Sequence, residues 1–148
     1  ERAGLLAGSE VFTKVRGAWI QHLPTIEDQT IGARLVGGWG NDLPSQEQFV
    51  IGGSTTLRGI TPKFTNSMAF MNLEYRILLD QSFSIAFFVD VGTDLVSQEI
   101  DLVSLKKSFG IEGRITIPYV GPVRFAFAWP VTDKIEYFKA EFGFGTFF

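Results

Sequence analysis

The residues of this chain that are best suited to chemistry are one arginine in a glycine-rich stretch and three distant carboxylates. Arg58 lies in the sequence Gly-Gly-Ser-Thr-Thr-Leu-Arg-Gly-Ile at residues 52–60, where the glycines permit tight turns with positive backbone torsions. Such a stretch is typical of a loop built to pack, because a flexible external loop is normally more polar. The guanidinium offers several N–H donors to a carboxylate. The candidate partners that the pattern places on the same side are Glu74, Asp90 and Glu112.

Residue types for catalysis or metal binding are scarce. The chain has one histidine, His22, and no cysteine, and no Ser/His/Asp spacing accompanies that histidine. The glutamates Glu74, Glu112 and Glu141 could be mistaken for paired acids. A more common arrangement in barrels is that such acids are neutralised by basic residues of a polar interior. The basic residues here are Arg34, Arg76, Arg114, Arg124 and Lys139. We therefore expect no enzyme, no metal site and no cofactor.

The segments that carry these residues alternate large apolar side chains with charged, small or glycine residues, at the period of two that is typical of β-strands. One face of the last segment consists of Phe138, Ala140, Phe142, Phe144, Thr146 and Phe148. Its other face consists of Tyr137, Lys139, Glu141, Gly143, Gly145 and Phe147. Comparable alternation covers residues 11–23, 30–39, 69–79, 83–92, 108–117 and 123–131. Segments of about ten residues span a bilayer when tilted.

The pattern predicts an all-β fold, an antiparallel transmembrane β-barrel wall of about eight strands, if a short strand from Arg2 to Leu6 completes the set. A soluble β-sandwich is the alternative, with each apolar face in a core. It is disfavoured because two packed sheets must interdigitate within about 10 Å, which leaves little room for successive Phe and Trp side chains. Lipid imposes no such fit, so membrane lipid is the expected partner.

Composition and loop lengths agree with one barrel domain whose two ends differ. The 148 residues carry a formal charge of -3, which fits one domain over residues 1–148, and no basic stripe suggests nucleic acid. Short connections at residues 80–82 and 118–122 are expected on the periplasmic side. Longer ones, at about 41–66 and 93–106, are then extracellular. The start of the chain lacks a signal-peptide layout, so we expect that residues were removed or left out.

Several motifs appear in a fixed order along the chain. They are Gly52-Gly53-Ser54 with Leu57-Arg58-Gly59-Ile60, then Phe88-Val89-Asp90-Val91-Gly92, then Gly110-Ile111-Glu112-Gly113-Arg114, then Gly121-Pro122. Together they resemble the C-terminal barrel of outer-membrane assembly factors of the BamA, TamA and FhaC type. The resemblance implies that Arg58 belongs to a Val-Arg-Gly-Phe/Tyr loop motif that folds into the lumen and contacts Asp90 of an F-x-D-x-G strand. Leu57 and Ile60 depart from the usual valine and aromatic residue.

The end of the chain also resembles the C-terminal β-signal by which assembly machinery recognises outer-membrane substrates. The residues concerned are Phe142, Gly143, Phe144, Gly145 and Phe148. An ordinary lipid-facing strand would have the same sequence, and both interpretations hold together. Gly143 and Gly145 would loosen the packing of this strand.

The family barrel has about sixteen strands, and the resemblance covers its second half. An eight-stranded barrel is filled by its own side chains and cannot also hold the long loop. Three arrangements stay open: a piece of a larger chain, two copies paired edge to edge, or an eight-stranded barrel that closes with the loop outside. The possible partners are therefore a second copy or the missing N-terminal half.

The resemblance implies an outer-membrane location and a barrel that inserts or translocates unfolded outer-membrane or secreted proteins without an energy source. A weak seam between first and last strands would open, and an incoming strand would pair with the exposed edge. The alternative is a passive anchoring barrel or pore, which needs no folded-in loop.

Overall fold

A computed structural model describes residues 2–3, 12–95, 105–131 and 137–145 of the chain. The fold of these residues is all-β, as the alternation predicts. The strands are β1 (Arg2–Ala3), β2 (Phe12–Pro24), β3 (Gln29–Asn41), β4 (Phe49–Ile51), β5 (Lys63–Thr65), β6 (Ser67–Asp80), β7 (Phe83–Asp94), β8 (Lys106–Ile117), β9 (Gly121–Val131) and β10 (Lys139–Phe144). Among the described residues, no helix is long and apolar enough to span a membrane.

Eight of the strands form one antiparallel sheet in the order β1-β2-β3-β6-β7-β8-β9-β10. The described strands form a simple meander, which is interrupted by the β4–β5 hairpin inside the loop between β3 and β6; these two strands pair with each other. In the described ranges, no pairing joins β10 to β1.

The two faces of the sheet differ as the sequence pattern requires. One face, here called the apolar face, exposes large side chains, among them Trp39, Met71, Phe87, Phe125 and Phe142. The opposite face, here called the loop face, carries most of the charged and small residues, and the loop between β3 and β6 covers part of it. Side chains alternate across a strand, so one chain pattern produces both faces.

The apolar core lies between the loop and the sheet. Its buried members are Val36, Leu43, Phe49, Ile51, Leu57, Ile60, Met68 and Phe70. Close approach is possible because β3 has glycines here: a Cβ on Gly38 would lie 2.9 Å from the Phe49 ring, and one on Gly40 would lie 2.5 Å from Leu43. The sequence pattern did not identify Met68 and Phe70 as core residues, because both interrupt the polar face of β6.

Some sequence predictions fall outside the described residues. They concern Phe148, residues 4–6 of the predicted first strand, Val11, and residues 96–104 of the second long connection. The remaining strand predictions agree with the structure to within a few residues. The predicted short turns are also present, at residues 81–82 and 118–120.

Candidate functional site

The loop tip between β4 and β5 has a fixed conformation of its own. The Gly53 N–H donates to the Ile60 carbonyl at 2.8 Å, and the Thr56 hydroxyl lies 2.7 Å from both the N–H and the carbonyl of Gly52. Gly52 has a φ of 105°, and a Cβ there would lie 2.6 Å from the Thr61 carbonyl oxygen. Only glycine fits this position without strain. The tip therefore presents Arg58 on a preformed turn.

Arg58 contacts Asp90 through both its backbone and its side chain. The backbone N–H and Nε donate to Oδ2, each at 2.9 Å, and Nη2 donates to Oδ1 at 2.8 Å. The side chains of both residues are fully buried. A bidentate guanidinium–carboxylate pair of this kind fixes orientation as well as distance. The third donor, from the backbone, ties the loop itself to β7.

Two further carboxylates contact the same guanidinium. Nη1 of Arg58 lies 2.6 Å from Glu74 Oε1 and 3.1 Å from Glu112 Oε2. Adjacent strands β6, β7 and β8 therefore each supply one buried acid to one cation. The four side chains come together although Glu112 is 54 residues from Arg58 in sequence.

Additional arginines balance these acids. Arg114 Nη2 lies 2.7 Å from Glu74 Oε1, and its Nε lies 2.5 Å from Glu112 Oε1. Arg76 contacts Glu74 at 3.1 Å, and Arg124 lies 3.8 Å from Glu112. Losing one member of such a network leaves a buried charge uncompensated, which costs far more than a surface pair does. We call the set Arg58, Glu74, Asp90, Glu112 and Arg114 the charge cluster.

The ring of Phe88 forms the floor under the arginine. The Arg58 guanidinium carbon lies 3.5 Å from the centre of that ring, which is a cation–π contact. Phe88 pairs with Glu74 on one side and with Gly110 on the other. A Cβ on Gly110 would lie 2.6 Å from the ring and 2.1 Å from the Phe127 carbonyl oxygen. Gly110 thus provides the space in which the Phe88 ring lies.

Small residues elsewhere let the loop backbone approach the sheet. A Cβ on Gly59 would lie 2.7 Å from the Ala128 Cβ, and one on Gly92 would lie 3.1 Å from Leu57. Asn72 adds a direct tie, because its amide donates to the Thr56 carbonyl at 2.7 Å and to Asp90 at 2.9 Å. The loop is thereby held by a hydrogen bond two residues before Arg58.

The electrostatics of Arg58 follow from these partners. Burial by itself would lower its pKa, but the hydrogen bond to Asp90 and the charges of Asp90, Glu74 and Glu112 raise the pKa above its usual value. The guanidinium therefore keeps its proton, and a group that keeps its proton cannot act as a general acid or base.

The residues of the predicted β-signal take different sides of β10. Phe142 and Phe144 lie on the apolar face, with ring centres 4.8 Å apart. Gly143 lies on the loop face, where a Cβ would be 2.9 Å from Arg124 Nη2. Gly145 follows the strand with a φ of 85°. Phe148 lies outside the described residues.

Sequence reasoning missed three features of this site. It did not place Phe88 and Gly110 as a pair, although both lie in the quoted motifs. It did not link Glu141 to the loop, yet the Gly59 N–H donates to Glu141 Oε1 at 3.0 Å. The β4–β5 hairpin also escaped notice, because each strand has only three residues. Among the described residues, no group of His, Asp and Glu side chains is placed to hold a metal ion.

Comparisons with known proteins give the family and the fold of the chain. The Omp85 superfamily domain matches residues 1–148. The outer membrane protein assembly factor BamA of Nitratidesulfovibrio vulgaris (strain Hildenborough) is 35% identical over 138 residues, covering 79% of this chain and 17% of that protein. The crystal structure of BamA from Haemophilus ducreyi lacking POTRA domains 1–3 superposes with a TM-score of 0.67 at 19% identity, covering 89% of this chain and 35% of that one. The chain thus spans a minor part of both proteins.

Proposed function

Because this chain belongs to the Omp85 superfamily, we propose that it forms part of the barrel of a protein insertase in the outer membrane. Outer-membrane location and an antiparallel barrel wall follow directly from the family and from the fold. The substrates we assign are unfolded outer-membrane or secreted proteins, and the barrel would act on them without catalytic chemistry. The N. vulgaris relative named an assembly factor supports this assignment.

The observation that carries the proposal is the buried charge cluster between the loop and the sheet. A passive anchor or pore needs no loop fastened to its wall by a fully buried arginine and three buried acids. In our proposal the loop face is the lumen side of the barrel, and the Arg58 loop folds into that lumen. It would brace β6, β7 and β8 so that the neighbouring wall can open without the barrel collapsing.

We propose that the rest of the wall comes from outside the described strands. The described sheet ends at β1 and β10, and unpaired strand edges are costly in lipid because each unsatisfied backbone group costs several kcal/mol. We assign the missing wall to an N-terminal half of the barrel, with a second copy as the alternative. Residues 1–148 are then one unit of a single barrel domain.

Opening would take place at β10. This strand has six residues, against eleven in its neighbour β9, and Gly143 removes a side chain from its loop face. The missing side chain loosens the packing of this strand and favours opening of the seam between the first and last strands of the barrel. An incoming substrate strand would then hydrogen-bond to the freed edge by β-augmentation.

Site-specific photo-crosslinking tests this function in the protein that carries this chain. A photoreactive residue replacing Phe142 on β10 should form covalent adducts with an unfolded barrel substrate during its insertion. A photoreactive residue replacing Phe87 is the matched control, since it is an exposed phenylalanine on the same face but on a strand paired on both sides. Adducts at neither position, or equal yields at both, would contradict the proposal.

A passive pore is the second candidate, and the test is conductance in planar bilayers. A pore should conduct steadily, and depleting it from cells should leave the folding of outer-membrane proteins unchanged. Depleting an insertase should instead cause unfolded substrates to accumulate in the periplasm. The buried Arg58 loop favours the insertase, because it fills space that an open pore would keep free.

A further inference from the structure

We propose that Glu141 is a positioning residue that fastens the Arg58 loop to β10, so that the loop is released when this strand opens. The proposal starts from one contact, the hydrogen bond from the Gly59 N–H to Glu141 Oε1 at 3.0 Å. Gly59 directly follows Arg58, so the charge cluster and the last strand are joined through one peptide unit. The inference rests on the proposed function, in which β10 opens.

The other loop-face positions of β10 lie against the same loop or against a residue that holds it. Lys139 Nζ lies 3.5 Å from the Thr61 hydroxyl. Gly143 leaves space for Arg124, whose Nη1 reaches the Ser54 carbonyl at 3.5 Å. Every loop-face residue of β10 therefore has a direct or one-step link to the loop tip. The Glu141 bond is the shortest of these links.

The contacts around β10 make its hydrogen bond with the loop important for holding this strand in place. Within the described part of the chain, β10 pairs only with β9, and its apolar side chains Phe142 and Phe144 are exposed. The hydrogen bond from the loop is thus a large part of the interactions that hold the polar face of β10. Coupling between two elements is reciprocal. If the loop stabilises the closed β10, then opening β10 must weaken the loop.

The second oxygen of Glu141 suits a contact that must break. Oε2 is buried and has no hydrogen-bond partner among the residues that the structure describes, and a buried acceptor without a partner is costly. The closed arrangement therefore satisfies only half of this carboxylate. Movement of β10 would expose Glu141 to water and remove that cost, which brings the closed and open states closer in free energy.

A reversible cross-link tests whether the loop and β10 must separate. The chain has no cysteine, so Thr61→Cys with Lys139→Cys gives a single reactive pair, to be joined by a short bis-methanethiosulfonate linker. We expect the linked protein to lose at least about fivefold in the rate of substrate insertion, the lower end of typical coupling between sites. Reduction should restore the rate.

A matched pair elsewhere on the same loop is the control. Lys14→Cys with Glu47→Cys joins the base of the loop to β2, where the native side chains lie 3.1 Å apart. This linker should leave insertion unchanged. Equal loss with both linkers, or no loss with the Thr61–Lys139 linker, would overturn the proposal.

Two variants of Glu141 test the residue itself without relying on insertion. Ile60→Cys places a thiol at a buried position of the loop tip, so maleimide labelling reports release of the loop. Glu141→Ala should raise the labelling rate at least about fivefold. Glu141→Gln should keep the original rate, because its amide oxygen still accepts the Gly59 N–H. An unchanged rate with Glu141→Ala would refute the tie.

These measurements separate failure of the tie from failure of the proposed function. Substrate adducts at Phe142 without any effect of the Thr61–Lys139 linker would leave the insertase standing and remove the tie. Absence of adducts at Phe142, together with faster labelling in Glu141→Ala, would keep the tie as a structural feature and remove the insertase.

Discussion

The ring of Phe88 lies over Gly110, and the space left by the missing glycine side chain sets the height of the floor beneath Arg58. A Cβ at Gly110 would lie 2.6 Å from the ring, while the guanidinium carbon lies 3.5 Å from the ring centre. The ring therefore contacts the guanidinium and occupies space that a side chain at Gly110 would need. The position of the cation depends on a residue that never touches it.

Gly110→Ala should destabilise the barrel by about 1–3 kcal/mol, the usual cost of forcing extra volume into a packed site. The added methyl group meets both Phe88 and the Phe127 carbonyl, so neither rotation of the ring nor a small shift relieves it. Gly113→Ala is the control on the same strand, since its Cβ would meet only Phe83 at 3.9 Å. Urea unfolding in detergent, followed by heat-modifiable gel migration, measures both.

Arg58→Ala should cost about 3–5 kcal/mol, because it leaves buried carboxylates without their cation. Arg58→Lys should recover part of the loss, since it keeps the charge but not the bidentate geometry. Lys63→Ala removes an exposed ion pair of the same loop, with Asp94, and should cost at most about 1 kcal/mol. Equal stability of the Arg58→Ala and Lys63→Ala proteins in urea unfolding would contradict the importance of the charge cluster.

Gly59→Ala should loosen the loop for two separable reasons. Its φ of 78° is costly for alanine, and its Cβ would lie 2.7 Å from the Ala128 Cβ. The double variant with Ala128→Gly removes the collision but not the backbone strain, which costs about 1–2 kcal/mol. We expect partial recovery of stability in urea unfolding. Full recovery would show that the backbone torsion carries no cost.

Phe87→Lys tests the membrane exposure of the apolar face. Phe87 is 50% exposed in the middle of β7, so a lysine there should cost about 2–4 kcal/mol in a bilayer. Gln81→Lys, in the turn that follows β6, is the control and should be neutral. Folding efficiency into lipid vesicles measures the difference. A neutral Phe87→Lys would mean that the apolar face does not contact lipid.

The sequence alone determined the strands and their faces. Alternation with a period of two is a local pattern, and within each strand it separates the apolar face from the polar face. The positions of β3, β6, β7, β8 and β9 could therefore be predicted from neighbouring residues. The pairing of carboxylates with arginines on one face could also be anticipated. Charges that share a face of adjacent strands have to be neutralised when that face is covered.

The identity of the contacts was decided only by the tertiary structure. The family resemblance implied the contact between Arg58 and Asp90, but whether Gly110 leaves room for a ring or merely lies within a strand depends on the register between strands. Glu141 is the clearest case, since 82 residues separate it from Gly59. A local pattern fixes which side of a strand a residue lies on. Only the packing of the loop against the sheet determines which residues it contacts.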